Sequence, residues 1–297
     1  MKLFFTFICI GMAAAGLIVC GAMTGRAIAD DSVQNVLSFN ENNTQAQSKT
    51  LGKHLSNAHN YLKLYMMISQ LQNKVDRLTQ ALGIQKDIEE IRRLQHIYGY
   101  YMTNNLNHRV VDLFSDDAIS AEFGGRGVYL GKEGVRTLFE KVHFGEIPDG
   151  PRFGLFIMFN QHMDVIDVDP DGQHAKARFR AFLLMGRYSA GAGWQAGDYE
   201  NEYVKENGKW LFSKFAYKQI FTGGYDDFWS NPSWSSGPSE LYPPDLPATA
   251  YHPFPENWIF PYHFPHPITD EWIPAFEPAD DYWCGPTPCS MENNGSP

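Results

Sequence analysis

The chain has 297 residues, of which 43% are apolar and 20% charged, so it can bury a sizeable core. This composition excludes collagen-like, coiled-coil-only and wholly disordered proteins. The formal net charge of the chain is −10, and the charge is unevenly distributed along the sequence. No Lys or Arg follows Lys218, whereas acidic residues continue beyond it. No basic patch stands out, and we therefore expect no nucleic-acid partner.

The first thirty residues have the features of an export signal. Lys2 precedes a long apolar run, and Ala27-Ile28-Ala29 offers the small residues after which a signal peptidase cuts. The prediction is a secreted or periplasmic protein, with a signal peptide over residues 1–29. Two alternatives stay open, namely residues 3–23 as an uncleaved membrane anchor and a poor lipoprotein site at Cys20.

Cysteine usage agrees with export. After cleavage the chain keeps only Cys284 and Cys289, which are close enough in sequence to bridge a short loop. We expect a local disulfide there. A metal site would need more ligands than these two, and no metal site is predicted.

The segment that follows the signal changes from polar to heptad-patterned. Residues 30–50 lack apolar periodicity and predict a flexible leader. Residues 51–83 predict a helix with an apolar seam at alternating spacings of four and three: Leu64, Ile68, Leu71, Val75, Leu78 and Leu82. The seam fits pairing with a second copy, or one amphipathic helix lying on its own domain.

Residues 84–229 predict one domain in which helices come first and long strands follow. Gly83 interrupts the seam, and a new apolar stripe continues as a helix to about Asn104. Asp169–Gly172 and Asn207-Gly208 carry strong hairpin-turn chemistry. This order indicates an α+β domain. The remaining elements are a short helix at 108–114, a strand at 118–123, a helix at 132–142, and strands at 156–168, 174–188, 194–206 and 209–221.

Residues 230–297 predict an extended arm. This stretch holds 15 of the 18 prolines, a density that forbids ordinary helices and central strands. Its many aromatic residues argue against a free tail. We therefore expect the arm to wrap over the domain or over a partner subunit.

The sequence DIEEIRRLQHIYGYYMTNNLNHRVVDLFSDDAISAEFGGRGVYLGKEGVRTLFE resembles the SnoaL-like proteins of the nuclear transport factor 2-like superfamily. The similarity extends over QHMDVIDVDPDGQHAKARFRAFL and YENEYVKENGKWLFSKF, and so covers Asp87 to Trp229. It implies an α+β cone, a bent antiparallel sheet wrapped around N-terminal helices. It also implies a homodimer that binds a small hydrophobic or aromatic molecule without a cofactor. Candidate pocket walls are Phe156, Met158, Phe179, Leu183, Met185, Trp194 and Phe221.

The same resemblance suggests acid/base chemistry of the lyase or isomerase type. His162 stands where scytalone dehydratase-like members place a pocket histidine, and it is the candidate acid/base. Tyr98 or Tyr101 would donate to a substrate carbonyl, with core packing as the alternative. Asp198 or Glu200 would orient the histidine if their strand face looks inward. If that face looks outward, they are surface charges or partners of neighbouring arginines.

Several departures from the family pattern favour a different function. Thr103 stands where acid/base members carry Asp, and Asn107 replaces a usual tryptophan. A second histidine is also missing near Leu184, Met185 and Gly186. The alternative function is therefore a non-catalytic ligand-binding or assembly protein of the same fold.

Overall fold

The computed structural model describes residues 29–143, 145–226, 236–249 and 251–276. The predicted signal segment before Ala29 and the predicted Cys284–Cys289 bridge lie outside these residues. The chain divides into two compact units, Met1–Val75 and Asp76–Pro297. Among the helices of the described residues, none has the length and apolar character that a membrane crossing requires.

The first helix, α1, runs from Ala29 to Thr103. Residues 30–50, predicted to be a flexible leader, are helical, and Gly83 lies inside the helix without ending it. No Pro occurs within α1, and one Gly inside a helix costs only about 1 kcal/mol relative to Ala. The hydroxyl of Thr44 donates to the carbonyl of Asn40 at 2.6 Å, so polar side chains here bond within the helix.

A six-stranded sheet and several short helical segments follow α1. The elements are α2 (Asn107–Val111), β1 (Ser120–Phe123), β2 (Val128–Leu130), α3 (Gly131–Arg136), a π-helical turn (Thr137–Val142), β3 (Leu155–Val168), β4 (His174–Arg187), β5 (Gly191–Glu206) and β6 (Lys209–Gly224). The strand order in the sheet is β2-β1-β6-β5-β4-β3. The antiparallel sheet predicted from the sequence is in fact mixed, because β1 pairs with β6 in parallel. A parallel pair needs a long crossover connection, which the intervening helices and strands provide.

The two predicted hairpins are confirmed. Asn207 and Gly208 have φ values of 50° and 75° and join β5 to β6, as a type I′ turn requires. The turn between β3 and β4 closes through a hydrogen bond of 2.9 Å from the amide of Gly172 to the carbonyl of Asp169. Turn chemistry therefore predicts correctly which of the long strands pair as hairpins.

An irregularity in β3 decides which side chains face α1. The pairing with β4 shifts between His162 and Val165, and Met163 has a positive φ of 55°. Ile157 and Phe159 lie in the core before the shift. After it, Asp164 turns toward α1 and bonds to Arg92 at 2.7 and 2.9 Å. His162, the last paired residue before the shift, is exposed, so the bulge leaves these two side chains on opposite sides of β3.

Candidate functional site

Aromatic rings fill the space between α1 and the sheet, which we call the interior. Tyr98 of α1 is fully buried at its centre. Its ring centroid lies 5.1 Å from that of Phe215, 5.7 Å from that of Tyr199 and 6.0 Å from that of Phe212. These are edge-to-face distances that stabilise aromatic clusters. The centre of the domain is therefore packed as a core.

A second buried layer is polar. The Gln95 side chain of α1 donates to Gln161 at 2.5 Å and accepts hydrogen bonds of 3.0 Å from Asn201 and Tyr203. Asn201 also accepts from the amide of Ala216 at 3.0 Å. Such a network fixes α1 against the sheet, because each buried polar group needs its partner.

The structure does not bring the predicted catalytic residues together. His162 is exposed, on the strand side opposite to that of Ile157. The hydroxyl of Tyr98 accepts from that of Tyr199 at 3.3 Å inside the core, and burial raises the pKa of Tyr98. Tyr101 is partly buried and packs against the core cluster. The two tyrosines thus occupy packing positions, which was the alternative left open by the sequence.

Asp198 and Glu200 lie on the outer face of the sheet, the face turned away from α1. Asp198 bonds both Nε and Nη2 of Arg180, the second at 3.1 Å. Glu200 forms an ion pair of 3.3 Å with Arg178. These contacts match the paired alternative of the sequence analysis. Neither carboxylate is placed to orient His162 toward the interior.

The arm covers this outer face. The guanidinium of Arg178 lies between the rings of Phe260 and Tyr262, 4.0 Å from each centroid. His263 of the arm bonds through Nδ1 to Glu200. Nearer the other sheet edge, the buried carboxylate of Glu122 accepts from the amide of Thr249 at 2.8 Å and pairs with Lys218 at 2.8 Å. The described arm is therefore held by stacking, ion pairs and hydrogen bonds.

The predicted wall residues divide between the two faces. Phe179, Leu183 and Met185 belong to the core or pack on it, whereas Phe156, Met158 and Trp194 do not. Phe156 is 56% exposed, and Trp194 contacts Phe182 and Tyr225 instead. Alternation along β3 explains the error for Phe156 and Met158, because Ile157 and Phe159 take the inward positions. Phe221 is partly buried.

The contacts of Thr103 show why a threonine fits where acid/base members of the family carry Asp. Its hydroxyl oxygen accepts a hydrogen bond of 3.1 Å from the amide of Phe159, where β3 passes the end of α1. A threonine can terminate the helix against the strand in this way. It provides no charge for acid/base chemistry.

A charged group that sequence reasoning passed over lies at the glycine corner. Arg126 ends the 3₁₀ turn Gly124–Arg126 and is partly buried. Its Nη1 donates to the carbonyl of Val142 at 3.3 Å and to Nδ1 of His143 at 3.0 Å. Among the described residues, no carboxylate lies within 4 Å of its guanidinium. Burial lowers the pKa of Arg126, as expected of a cation without an anionic partner.

Phenol groups surround this corner. The ring of Phe123 stacks on Tyr217 at 4.4 Å and meets the His143 ring edge-on at 4.4 Å. The hydroxyls of Tyr217 and Tyr251 are buried, and neither has a hydrogen-bond partner among the described residues. Arg126, Tyr217 and Tyr251 thus retain hydrogen-bonding capacity in a partly apolar setting. The only sequence signal for this site was a lone arginine within the glycine-rich AEFGGRG.

His143 predicts a loss of stability in acid. Burial holds the pKa of its imidazole well below the ordinary value, and the charge of Arg126 lowers it further. Below a pH of about 6.5 the unfolded chain therefore binds a proton that the folded protein does not, and stability falls as pH drops, by up to about 1.4 kcal/mol per pH unit.

Urea unfolding at about pH 7.5 and about pH 5 should show this loss in the parent and less of it in His143→Gln. His108→Gln is the matched control, because Asp149 raises the pKa of the exposed His108. An equal acid loss in His143→Gln and the parent would contradict the assignment.

The other polar features of this unit have local explanations. An open pocket of about 360 Å³ is lined by residues that include Ser115, Asp169 and His174. Asp169, Asp171 and His174 form an exposed group whose ligand atoms lie within 4.8 Å. Asp171 accepts from the amides of Gln173 and His174 at 2.7 and 3.1 Å, as a turn-closing aspartate does.

Comparison with known proteins gives one family and several distant structures. A family model described as a SnoaL-like domain matches residues 85–216. A candidate scytalone dehydratase from Novosphingobium aromaticivorans shares 16% identity at a TM-score of 0.42, covering 53% of this chain and 96% of that one.

A hexachlorocyclohexane dehydrochlorinase, LinA type 2, shares 16% identity at a TM-score of 0.40, covering 54% of this chain and 98% of that one. ActVI-ORFA from Streptomyces coelicolor shares 10% identity at a TM-score of 0.38, covering 44% of this chain and 96% of that one. No curated protein matches the chain.

Proposed function

Residues 85–216 form a SnoaL-like domain with the nuclear transport factor 2-like fold, and from this premise we propose that the protein binds a small aromatic molecule bearing an anionic oxygen at Arg126. Members of this fold are ligand-binding proteins or cofactor-free enzymes. This proposal follows the non-catalytic, ligand-binding alternative of the sequence analysis and assigns His162 no acid/base role.

The observation that carries the proposal is the guanidinium of Arg126, which has no carboxylate partner among the residues that the structure describes. A partly buried cation without a carboxylate costs free energy, and an anionic ligand would offset that cost. The neighbouring hydroxyls of Tyr217 and Tyr251 offer further donors. The rings of Phe123 and Tyr217 are buried and stacked on each other, so the guanidinium, 5.8 Å from the Phe123 centroid, lies in apolar surroundings.

The contacts of Thr103 and His162 argue against lyase or isomerase chemistry of the predicted kind. Thr103 is engaged by the backbone of β3, and His162 is exposed on the outer side of that strand, just before the bulge. A general base must lie within hydrogen-bond reach of the proton it removes. His143 is buried beside Arg126, but its Nδ1 already accepts a hydrogen bond from Nη1 of that arginine, and the pKa of its imidazole is strongly lowered.

The test compares two probes of the same shape, 2-naphthoate and 2-naphthamide, by calorimetric titration of the full chain. We expect the carboxylate to bind more tightly than the amide. Arg126→Gln should weaken naphthoate binding by roughly 10- to 100-fold, the value of one or two charged hydrogen bonds, and should abolish the preference for it.

Arg187→Gln, at an exposed position on β4, is the matched charge control and should bind naphthoate as the parent does. His162→Ala should also bind normally. Equal binding of naphthoate by Arg126→Gln and the parent would refute the site. A loss of binding in His162→Ala would instead support the acid/base role that the sequence predicts for His162.

A further inference from the structure

Residues 38–86 of α1 are exposed at every position. At about 1.5 Å per residue this stretch is roughly 73 Å long. It carries 15 of the 31 large hydrophobic side chains that are exposed in the described residues, so the exposed apolar surface is concentrated on this helix. A concentration of this kind marks an interaction surface.

The six seam residues predicted from the sequence form one stripe of this surface. They are 46% to 71% exposed and keep the spacing of a heptad repeat. In heptad notation Leu64, Leu71 and Leu78 take the d positions, and Ile68, Val75 and Leu82 take the a positions, two of which are β-branched. β-branched residues at a with leucine at d favour two-stranded, parallel coiled coils.

The flanking positions allow such a pairing. Residues at g and e, which border the seam, are Met67, Lys74 and Ala81, and Tyr65, Gln72 and Thr79. Of these six residues only Lys74 is charged. Two parallel copies therefore bring no like charges into contact, because their two lysines lie apart. Leu51, Leu55 and Leu62 are exposed in the preceding turns, but they take e and b positions of this frame and so do not extend the seam.

The domain surface offers less room for association. On the outer face of the sheet, Arg178 is covered by Phe260 and Tyr262, and Glu122 by Thr249. An arm that occupies this face within its own chain leaves the helix as the main apolar surface for a second copy.

We propose that two copies of this chain pair through residues 64–82 of α1 as a parallel, in-register, two-stranded coiled coil. The occupant of the seam is a second copy of the same helix. This inference is independent of the ligand proposed for Arg126, since Arg126 contributes nothing to the seam.

The first test measures the molar mass of the full chain by sedimentation equilibrium. The parent should have the mass of two copies. Leu71→Glu with Val75→Glu places charges at d and a, and should raise the dimer dissociation constant at least tenfold. The control, Ser69→Glu with Gln80→Glu, puts the same charges on the opposite side of the helix and should remain dimeric.

The seam residues are exposed, so the double variant should keep the thermal transition of the parent domain. A monomeric parent, or a dimer that persists in the double variant at the parent's dissociation constant, would overturn the proposal.

The second test addresses orientation. In a parallel, in-register pair each d residue faces its own copy, so oxidised Leu71→Cys should run as a covalent dimer. Gln80→Cys, facing outward, should not exceed the background that the native cysteines give in the parent. A dimeric mass with no cross-link at residue 71 would overturn the parallel arrangement.

Discussion

Tyr98→Ala is expected to lower the free energy of unfolding by about 3–5 kcal/mol, the cost of removing a large buried aromatic side chain. Tyr98 is fully buried, and its ring meets those of Phe139, Phe159, Tyr199, Phe212 and Phe215. The alanine would leave a cavity bounded by rigid rings that cannot close over it. Urea unfolding followed by near-ultraviolet circular dichroism measures the loss.

Tyr98→Phe separates the ring from its hydroxyl. This variant keeps the aromatic contacts and leaves only the Tyr199 hydroxyl without its acceptor, so we expect a cost of about 1–2 kcal/mol. If both variants lost the same stability, the hydroxyl pair rather than ring packing would hold the interior together. Phenylalanine at this position should also leave naphthoate binding at Arg126 in place.

Turn residues and strand patterning were sufficient to predict most of the fold. Asn207-Gly208 fixed one hairpin, and the β3–β4 turn fixed the other, because each sets a backbone conformation locally. The order of helices and strands indicated the α+β class, and the family resemblance added the SnoaL-like domain, which the match over residues 85–216 confirms. The parallel pairing of β1 with β6 was missed, since nothing local in Ser120–Phe123 records which distant strand lies beside it.

The length of α1 shows where periodicity fails as a guide. Residues 30–50 have no apolar stripe, yet they are helical, because a helix already formed extends through polar residues that contain no breaker. Gly83 was interpreted as a boundary although it lies within the helix. Periodicity reports which face will be buried, and an unburied helix need not show it.

The candidate site was the least predictable part. Alternation from the core residues Ile157 and Phe159 already places His162 on the outer side, and the β-bulge at Met163 then turns Asp164 toward α1. No sequence pattern marks that bulge. Arg126 and His143 lie 17 positions apart and meet only because the π-helical turn ends beside the glycine corner.

The arm should depend on Arg178. Its side chain is 9% exposed, its guanidinium stacks between two arm rings, and it pairs with Glu200. Arg178→Ala leaves that carboxylate without its arginine and removes both stacking contacts. Breaking a buried ion pair costs about 3–5 kcal/mol, and we expect the loss to appear as release of the arm.

Two proteases distinguish arm release from unfolding of the domain. No Lys or Arg follows Lys218, so trypsin has no site in the arm, whereas chymotrypsin can cut after Trp258, Tyr262 and Trp272, none of which precedes a proline. Arg178→Ala should be cut early by chymotrypsin and as slowly as the parent by trypsin. Arg178→Lys should be intermediate, since it keeps the charge without the planar stack.

Arg187→Ala, at an exposed position, should match the parent in both digests. If Arg178→Ala kept the arm as protected from chymotrypsin as it is in the parent, the remaining contacts would be sufficient to hold it. Those contacts include the hydrogen bond that Glu122 accepts from the amide of Thr249 and the one that Ser236 Oγ accepts from the amide of Gly125 at 3.2 Å. Early cutting by trypsin would instead show that Arg178 stabilises the sheet itself, since Arg178 lies in β4 and the tryptic sites lie in the domain and helix.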